Sequence, residues 1–199
     1  MDVAVIDSGG ANVGSVLQAL ARLSVDAQLT QDADAIQQAQ RVILPGVGTA
    51  HAAMDTLQSA GLVSTIQQLT QPVLGICLGL QLLFDASTEG EKTTPCLGII
   101  GGVVEKLPNE GTLRLPHMGW SQIEWVKEDP VATHLMAEDW FYFVHSYAVL
   151  APCPAIVATS DHGQPFAAVV RHHNFVACQF HPEKSADAGQ RLLQGFLAS

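Results

Sequence analysis

Pro72-Val73-Leu74-Gly75-Ile76-Cys77-Leu78-Gly79 is the stretch around which the rest of the sequence is best ordered. Pro72-Val73-Leu74 reads as a short buried strand, and Leu78 to Phe84 is apolar enough to begin a helix. A reactive side chain between two small residues at a strand-to-helix turn is a nucleophile elbow, here with the sulfur of Cys77 where the Gly-x-Ser-x-Gly form carries oxygen. A Cβ at Gly75 or Gly79 would crowd the crossing backbone of so tight a turn. The helix that follows would aim free N–H groups and the positive end of its dipole at Cys77, which favours thiolate. Most free cysteines are small buried hydrophobes. A catalytic role for Cys77 therefore depends on a base supplied elsewhere in the chain.

Composition narrows the classes of function. The chain has 199 residues, 48% of them hydrophobic and 14% charged, which suits one large domain over residues 1–199 with a substantial core. Gly, Pro or charge interrupts every apolar run before about 18 residues, so no membrane span is expected. The start, Met1-Asp2-Val3-Ala4-Val5-Ile6, goes straight into a strand without the basic region of a signal peptide. A cytoplasmic location with reduced thiols is the expectation. Net charge is −10 with only nine Lys and Arg, spread along the chain. Binding to nucleic acid needs clustered cations and is not expected. The four cysteines, Cys77, Cys96, Cys153 and Cys178, form no Cys-x-x-Cys pair, and the adjacent His172-His173 has no nearby Cys or Asp to complete a metal site.

In chain order, Val3 to Ile6 is a continuous apolar run, as in a strand buried on both faces. Asp7 to Ala11 reads as a turn and Asn12 as a helix cap, followed by Val13, Val16, Leu17 and Leu20 on one helical stripe. The turn lacks the Gly-x-Gly-x-x-Gly spacing of a dinucleotide site. Val25 to Leu29 and Arg41 to Leu44 read as the second and third strands. Pro45-Gly46-Val47-Gly48 is a loop, and Thr49 opens a helix with Ala50, Ala53, Met54 and Leu57 on one face. Strand, helix, strand, strand, helix and elbow strand make an α/β pattern with an open, mostly parallel central sheet flanked by helices. Ligands in such sheets bind at the carboxyl ends of the strands, where Gly48 and Cys77 both fall.

From residue 86 onward short strands alternate with turns, at 99–104, 118–125, 140–144, 155–159, 165–170 and 174–179, and are expected as antiparallel additions to the same sheet. A last helix is expected from about Ser185 to Leu197, with Leu192, Leu193, Phe196 and Leu197 inward. Just before it stands Gln179-Phe180-His181-Pro182-Glu183-Lys184-Ser185. Pro182 biases His181 away from the α region, so His181-Pro182-Glu183 is expected to be extended. Residues two apart then share a side, and Glu183 can hold one imidazole nitrogen while the other faces Cys77. That is the base-and-orienter arrangement of a nucleophilic triad, Cys77, His181 and Glu183. The acid comes last in the chain, which departs from the α/β-hydrolase order.

With these motifs in place the sequence resembles the class I, triad-type glutamine amidotransferases over essentially its whole length. Gly75-Ile76-Cys77-Leu78-Gly79-Leu80-Gln81 and Gln179-Phe180-His181-Pro182-Glu183 carry the resemblance. Pro45 to Gly48, Pro116-His117-Met118-Gly119-Trp120, Tyr142-Phe143-Val144-His145-Ser146-Tyr147 and His181 to Ser185 are similar, more narrowly, to the glutaminase subunits of imidazole glycerol phosphate synthase. Leu80, where Met is frequent, and Ser121, where Asn is frequent, are departures.

The resemblance implies a flavodoxin-like fold and the hydrolysis of glutamine to glutamate and ammonia, without cofactor or metal. It implies an oxyanion site from the Leu78 N–H and the Gly46-Val47 segment, and a glutamine pocket from Gln81, His145, Ser146 and Tyr147. It also implies a heterodimer with a (β/α)8-barrel cyclase that uses the ammonia in histidine biosynthesis. Asn12, Met118, Trp120, Tyr142 and Lys184 are the candidates for that interface, although Met118 and Trp120 equally suit a core. Two alternatives stay open at this stage. One is a glutaminase subunit for anthranilate, aminodeoxychorismate or pyridoxal phosphate synthesis; the other is a regulatory module that binds without catalysis.

Overall fold

Val3–Ile6 and Val73–Ile76 are each buried along their whole length, because both are interior strands of one sheet with helices on its two faces. The computed structural model describes residues 1–10, 13–109 and 113–199. Ala11 and Asn12, in the expected turn and cap, lie outside them. The first half of the chain runs β1 (Val3–Ile6), α1 (Val13–Arg22), β2 (Ala27–Thr30), α2 (Ala33–Gln38), β3 (Arg41–Leu44), α3 (Ala50–Ser59), α4 (Leu62–Gln67), β4 (Val73–Ile76) and α5 (Leu78–Leu82). The second half runs β5 (Phe84–Ser87), β6 (Thr94–Pro95), β7 (Ile100–Lys106), β8 (His117–Ser121), β9 (Glu124–Trp125), β10 (Phe141–His145), β11 (Tyr147–Ala148), β12 (Ile156–Asp161), β13 (Pro165–His172), β14 (Phe175–Cys178) and α6 (Ala186–Ala198).

The main sheet has eight strands in the order β2-β1-β3-β4-β14-β13-β12-β9. From β2 through β14 every neighbouring pair is parallel; from β14 to β9 every pair is antiparallel. The expected α/β architecture with a mostly parallel sheet and added antiparallel strands is therefore present. Its details differ in four places.

Two short helices, α2 and α4, stand where the sequence reading placed no element. Each has six residues, too few for a 3.6-residue stripe to register, and α2 buries only Ile36. Its start is fixed by Asp32 Oδ1, which accepts from the N–H groups of Asp34 and Ala35. The helix after Cys77 stops at Leu82 rather than Phe84, because Leu97 N–H donates to the Leu82 carbonyl and Ile99 and Ile100 N–H both donate to that of Leu83. Phe84 is then free to begin a strand beside Ile100.

The later strands do not all join one sheet. β5, β6, β7 and β11 form a four-stranded sheet, and β8 pairs with β10 as a separate two-stranded ribbon. Finally, β14 is no edge addition: it lies parallel to β4, with Cys178 opposite Ile76.

α3 matches the expectation closely, with Thr49 Oγ1 accepting from Ala52 N–H and Ala50, Ala53, Met54 and Leu57 buried. α6 buries Leu192, Leu193 and Phe196, while Leu197 stays partly exposed.

The two elbow glycines have identified reasons. A Cβ on Gly75 would stand 2.8 Å from the Cβ of Ala177 on β14, and one on Gly79 would run into the Leu44 carbonyl oxygen at the end of β3. Helix α5 is thus seated directly on backbone that cannot yield. Gly79→Ala is expected to lower the unfolding free energy by about 3 kcal/mol, the upper range for overpacking. Among the described residues nothing stands within 4 Å of a Cβ on Gly14, in α1. Gly14→Ala should raise stability by ~0.5–1 kcal/mol. Urea denaturation of the two variants checks both signs, and equal stabilities would refute the close approach.

Candidate active site

Cys77 is held at φ +52°, ψ −105°, a region in which side chains other than glycine are strained by about 1–3 kcal/mol. Its N–H donates to the Cys178 carbonyl at 2.8 Å, and its own carbonyl accepts from Leu80 N–H at 3.0 Å. The residue is thereby fixed on both sides, and the turn from strand to helix is made within it.

His181 arrives from the next strand. β14 runs beside β4, so the chain leaving Cys178 passes the end of the elbow strand. The His181 N–H donates to the Tyr142 carbonyl at 2.9 Å, and its carbonyl accepts from Ser185 Oγ at 2.6 Å. Pro182–Lys184 is a 3-10 turn, not the extended segment expected from Pro182. His181 alone is extended (φ −100°, ψ 98°), because Pro restricts the residue before it; Pro182 itself suits the first position of a helical turn. The turn still brings Glu183 Oε1 to 2.8 Å from His181 Nδ1, with each side chain only 2% exposed.

Nδ1 is engaged by Glu183, and Cys77 lies close enough to the ring to act on its pKa. Burial acts to lower the His181 pKa. Hydrogen bonds and charges from Cys77 and Glu183 outweigh it, and the pKa is pushed up to about 10.

A cavity of about 390 Å³ opens over the sulfur, lined by Val47, Gly48, Cys77, Leu78, Gln81, Glu89, Pro116, Val144, His145, Ser146, Tyr147, His181 and Lys184. All four expected glutamine-pocket residues are in this wall, as are Val47 and Leu78 of the expected oxyanion site. Gly46 lies behind it, packed against Leu78 and Gly79. Lys184, expected at the interface, also lines the cavity.

The other described interface candidates lie on the outer face of the β8–β10 ribbon. Met118 is 63% and Trp120 49% exposed, so neither is core. Trp120 packs edge-on against Tyr142, its ribbon partner.

Two residues of the site were not anticipated from the sequence. Glu89 stands on the cavity wall, with Oε2 accepting from Ala50 N–H at 2.8 Å at the start of α3. Only its place after the elbow helix hinted at it. Gln179 is fully buried with its amide against the Cys77 sulfur. A polar residue closing the apolar run Phe175 to Cys178 was the available signal.

His145 has both ring nitrogens occupied. Its Nδ1 faces the Tyr147 carbonyl at 3.0 Å and must donate, so Nε2 accepts from His117 Nδ1 at 3.1 Å. His117 Nε2 then accepts from Ser121 Oγ at 3.1 Å. Burial lowers the His117 pKa to about 4, with the charge of His162 adding to it, and lowers that of His145 to about 3 despite the Tyr147 carbonyl.

A model of the class-I glutamine amidotransferase family matches residues 4–199, and the chain belongs to that family. It is 47% identical over 196 residues to the imidazole glycerol phosphate synthase subunit HisH of Pasteurella multocida, covering 98% of this chain and 97% of that one. It is 49% identical over 197 residues to the subunit of the same name from Xanthomonas axonopodis pv. citri, covering 98% and 96%. Similarity of this extent places the chain in the HisH line of the family and decides among the synthases that the motifs left open. Among solved structures, a glutamine amidotransferase superposes with TM-score 0.77 at 18% identity over 100% of this chain and 98% of that one. The glutaminase domain of Trypanosoma brucei CTPS does so with TM-score 0.64 at 16% identity, over 98% and 93%. These two speak for the fold alone.

The histidines make a pH prediction. Below about 6.5 an unfolded chain protonates His117 and His145, whereas the folded one keeps them neutral, so the unfolded state binds more protons. Stability should fall as pH drops from 6.5 to 5. His181 does not oppose this: its raised pKa gives stability that is fully present below 6.5 and lost only as pH climbs toward 10. Urea midpoints should decline across pH 6.5 to 5 in the native chain and decline less in His145→Gln; equal slopes would contradict the assignment.

Proposed function

We propose that the chain is the glutaminase subunit of an imidazole glycerol phosphate synthase, working through Cys77, His181 and Glu183. The observation that carries this is one buried imidazole bonded to a carboxylate and lining, with a strained elbow cysteine, a single cavity large enough for an amino acid.

The Cys77 thiolate attacks the side-chain carbonyl carbon of glutamine. The oxyanion that forms is met by the Leu78 N–H and an amide of the Gly46-Val47 segment, each such donor contributing ~3 kcal/mol to the transition state. The raised pKa of His181 keeps it protonated at neutral pH, so it can pass its proton to the departing ammonia as the C–N bond breaks. It then takes a proton from water, and the hydroxide formed cleaves the thioester to glutamate. Glu183 holds Nδ1–H throughout, which fixes the tautomer and favours the cation.

Glutamine is a zwitterion, and the wall supplies polar groups for it. Glu89 and the Gln81 side-chain oxygen suit its ammonium; Ser146 and Tyr147 border the same space. His145, with both nitrogens engaged, supports the wall rather than contacting substrate through its ring.

Free ammonia would be protonated and lost in water, so the product suits direct delivery to a second subunit, a (β/α)8-barrel cyclase in the cytoplasm. Met118, Trp120, Tyr142 and Lys184 suit its docking face. Because the Tyr142 carbonyl holds the His181 backbone, contact on the outer ribbon bears directly on the base.

Cys77→Ala should abolish glutamine hydrolysis while the complex with the cyclase still uses added ammonia; glutaminase surviving in that variant rejects the triad. Adding the cyclase with its nucleotide ligand should raise glutamine turnover at least tenfold in a coupled glutamate assay. An unchanged rate would reject the partner.

A further inference from the structure

Two side-chain amides connect the cavity wall to the Cys77 sulfur, and their orientation can be deduced. Gln81 Nε2 lies 2.8 Å from the Tyr147 carbonyl oxygen, which can only accept, so the nitrogen end of Gln81 must point there. The same nitrogen lies 3.1 Å from the side-chain amide of Gln179, which must therefore turn its oxygen toward Gln81. That leaves Gln179 Nε2 facing Cys77 Sγ at 3.6 Å, within hydrogen-bonding range for sulfur. Gln179 is completely buried and Gln81 nearly so, which removes water as a competing partner for these groups. A backbone carbonyl thus dictates, through two amides, that the sulfur receives an N–H.

We infer that Gln179 is a hydrogen-bond donor to the Cys77 sulfur, stabilising its thiolate form, and that Gln81 locks Gln179 in the donating orientation. The inference rests on Cys77 being the nucleophile. It gives the sulfur a donor that, unlike His181, has no proton to give away. His181 can then change its protonation state during turnover while Gln179 keeps the leaving thiolate solvated. The same chain explains why Gln81 offers substrate only its oxygen: both its N–H bonds are spent on Tyr147 and Gln179.

The test is the pH dependence of Cys77 alkylation by iodoacetamide, followed by mass spectrometry of the Cys77 peptide in the absence of glutamine. Gln179→Met preserves length and bulk but donates nothing, and should move the midpoint up by about one to two pH units, the worth of a hydrogen bond to a charged group. Gln179→Glu keeps an acceptor for Gln81 but turns a carboxylate toward the sulfur, and should move it further. A side chain that only fills space would change stability and leave the midpoint alone, so an unchanged or lowered midpoint in both variants overturns the donor role.

The native chain supplies an independent check. With 15N in its glutamine side chains, one amide signal should shift with the alkylation midpoint and lose that shift in Cys77→Ser; no such signal overturns the inference. If native Cys77 alkylates as an ordinary thiol and Cys77→Ala retains glutaminase, the nucleophile and this donor fall together. A normal native profile with an unmoved Gln179→Met midpoint removes the donor alone.

Discussion

The backbone of β3 touches the backbone of α5 where Leu44 meets Gly79, and the site is built on that contact. With no side chain between them, the helix sits so low on the sheet that the chain must reverse within one residue, Cys77. The positive φ there follows from the geometry, and the strain is offset by the hydrogen bonds and burial of β4 between β3 and β14. Gly75 plays the matching part on the other side, leaving room for Ala177. The sulfur is thus held by main chain, which side-chain motion cannot loosen.

Placing β14 beside β4 makes the second half of the site almost automatic. A strand parallel to the elbow strand delivers its own carboxyl end to the same edge, where Gln179 and His181 emerge on either side of Phe180. The segment is tied outward as well: the His181 backbone bonds to Tyr142, and Ser185 Oγ accepts from Tyr142 N–H at 3.0 Å. The β8–β10 ribbon therefore carries exposed Met118 and Trp120 on one face and holds His181 through its own backbone.

Environment alone separates the histidines. His181 is buried beside a carboxylate and a thiol and is driven toward its cation. His117 and His145 are buried beside Phe143, Phe166 and each other, and are kept neutral. A positive His181 next to a neutral His145 avoids repulsion across the cavity, so one imidazole can work as an acid while another only braces the wall.

Much of this could be seen in the residues themselves. Two small residues around Cys77, a buried apolar run before it, and His-Pro-Glu at the end of the last strand are local signals, because tight turns and buried strands constrain residue type at fixed spacing. The α2 and α4 helices were hidden because six residues hold too little periodicity. Whether a short strand extends the main sheet, joins β5, β6, β7 and β11, or pairs off as the β8–β10 ribbon depends on partners far away in the chain. The roles of Gln179 and Glu89 depend on the same distant contacts. Nothing near Gln179 in the chain names Gln81 or Cys77 as its neighbour; only parallel packing of β14 on β4 brings those amides together, and hydrogen bonds over such separations leave no trace in local spacing.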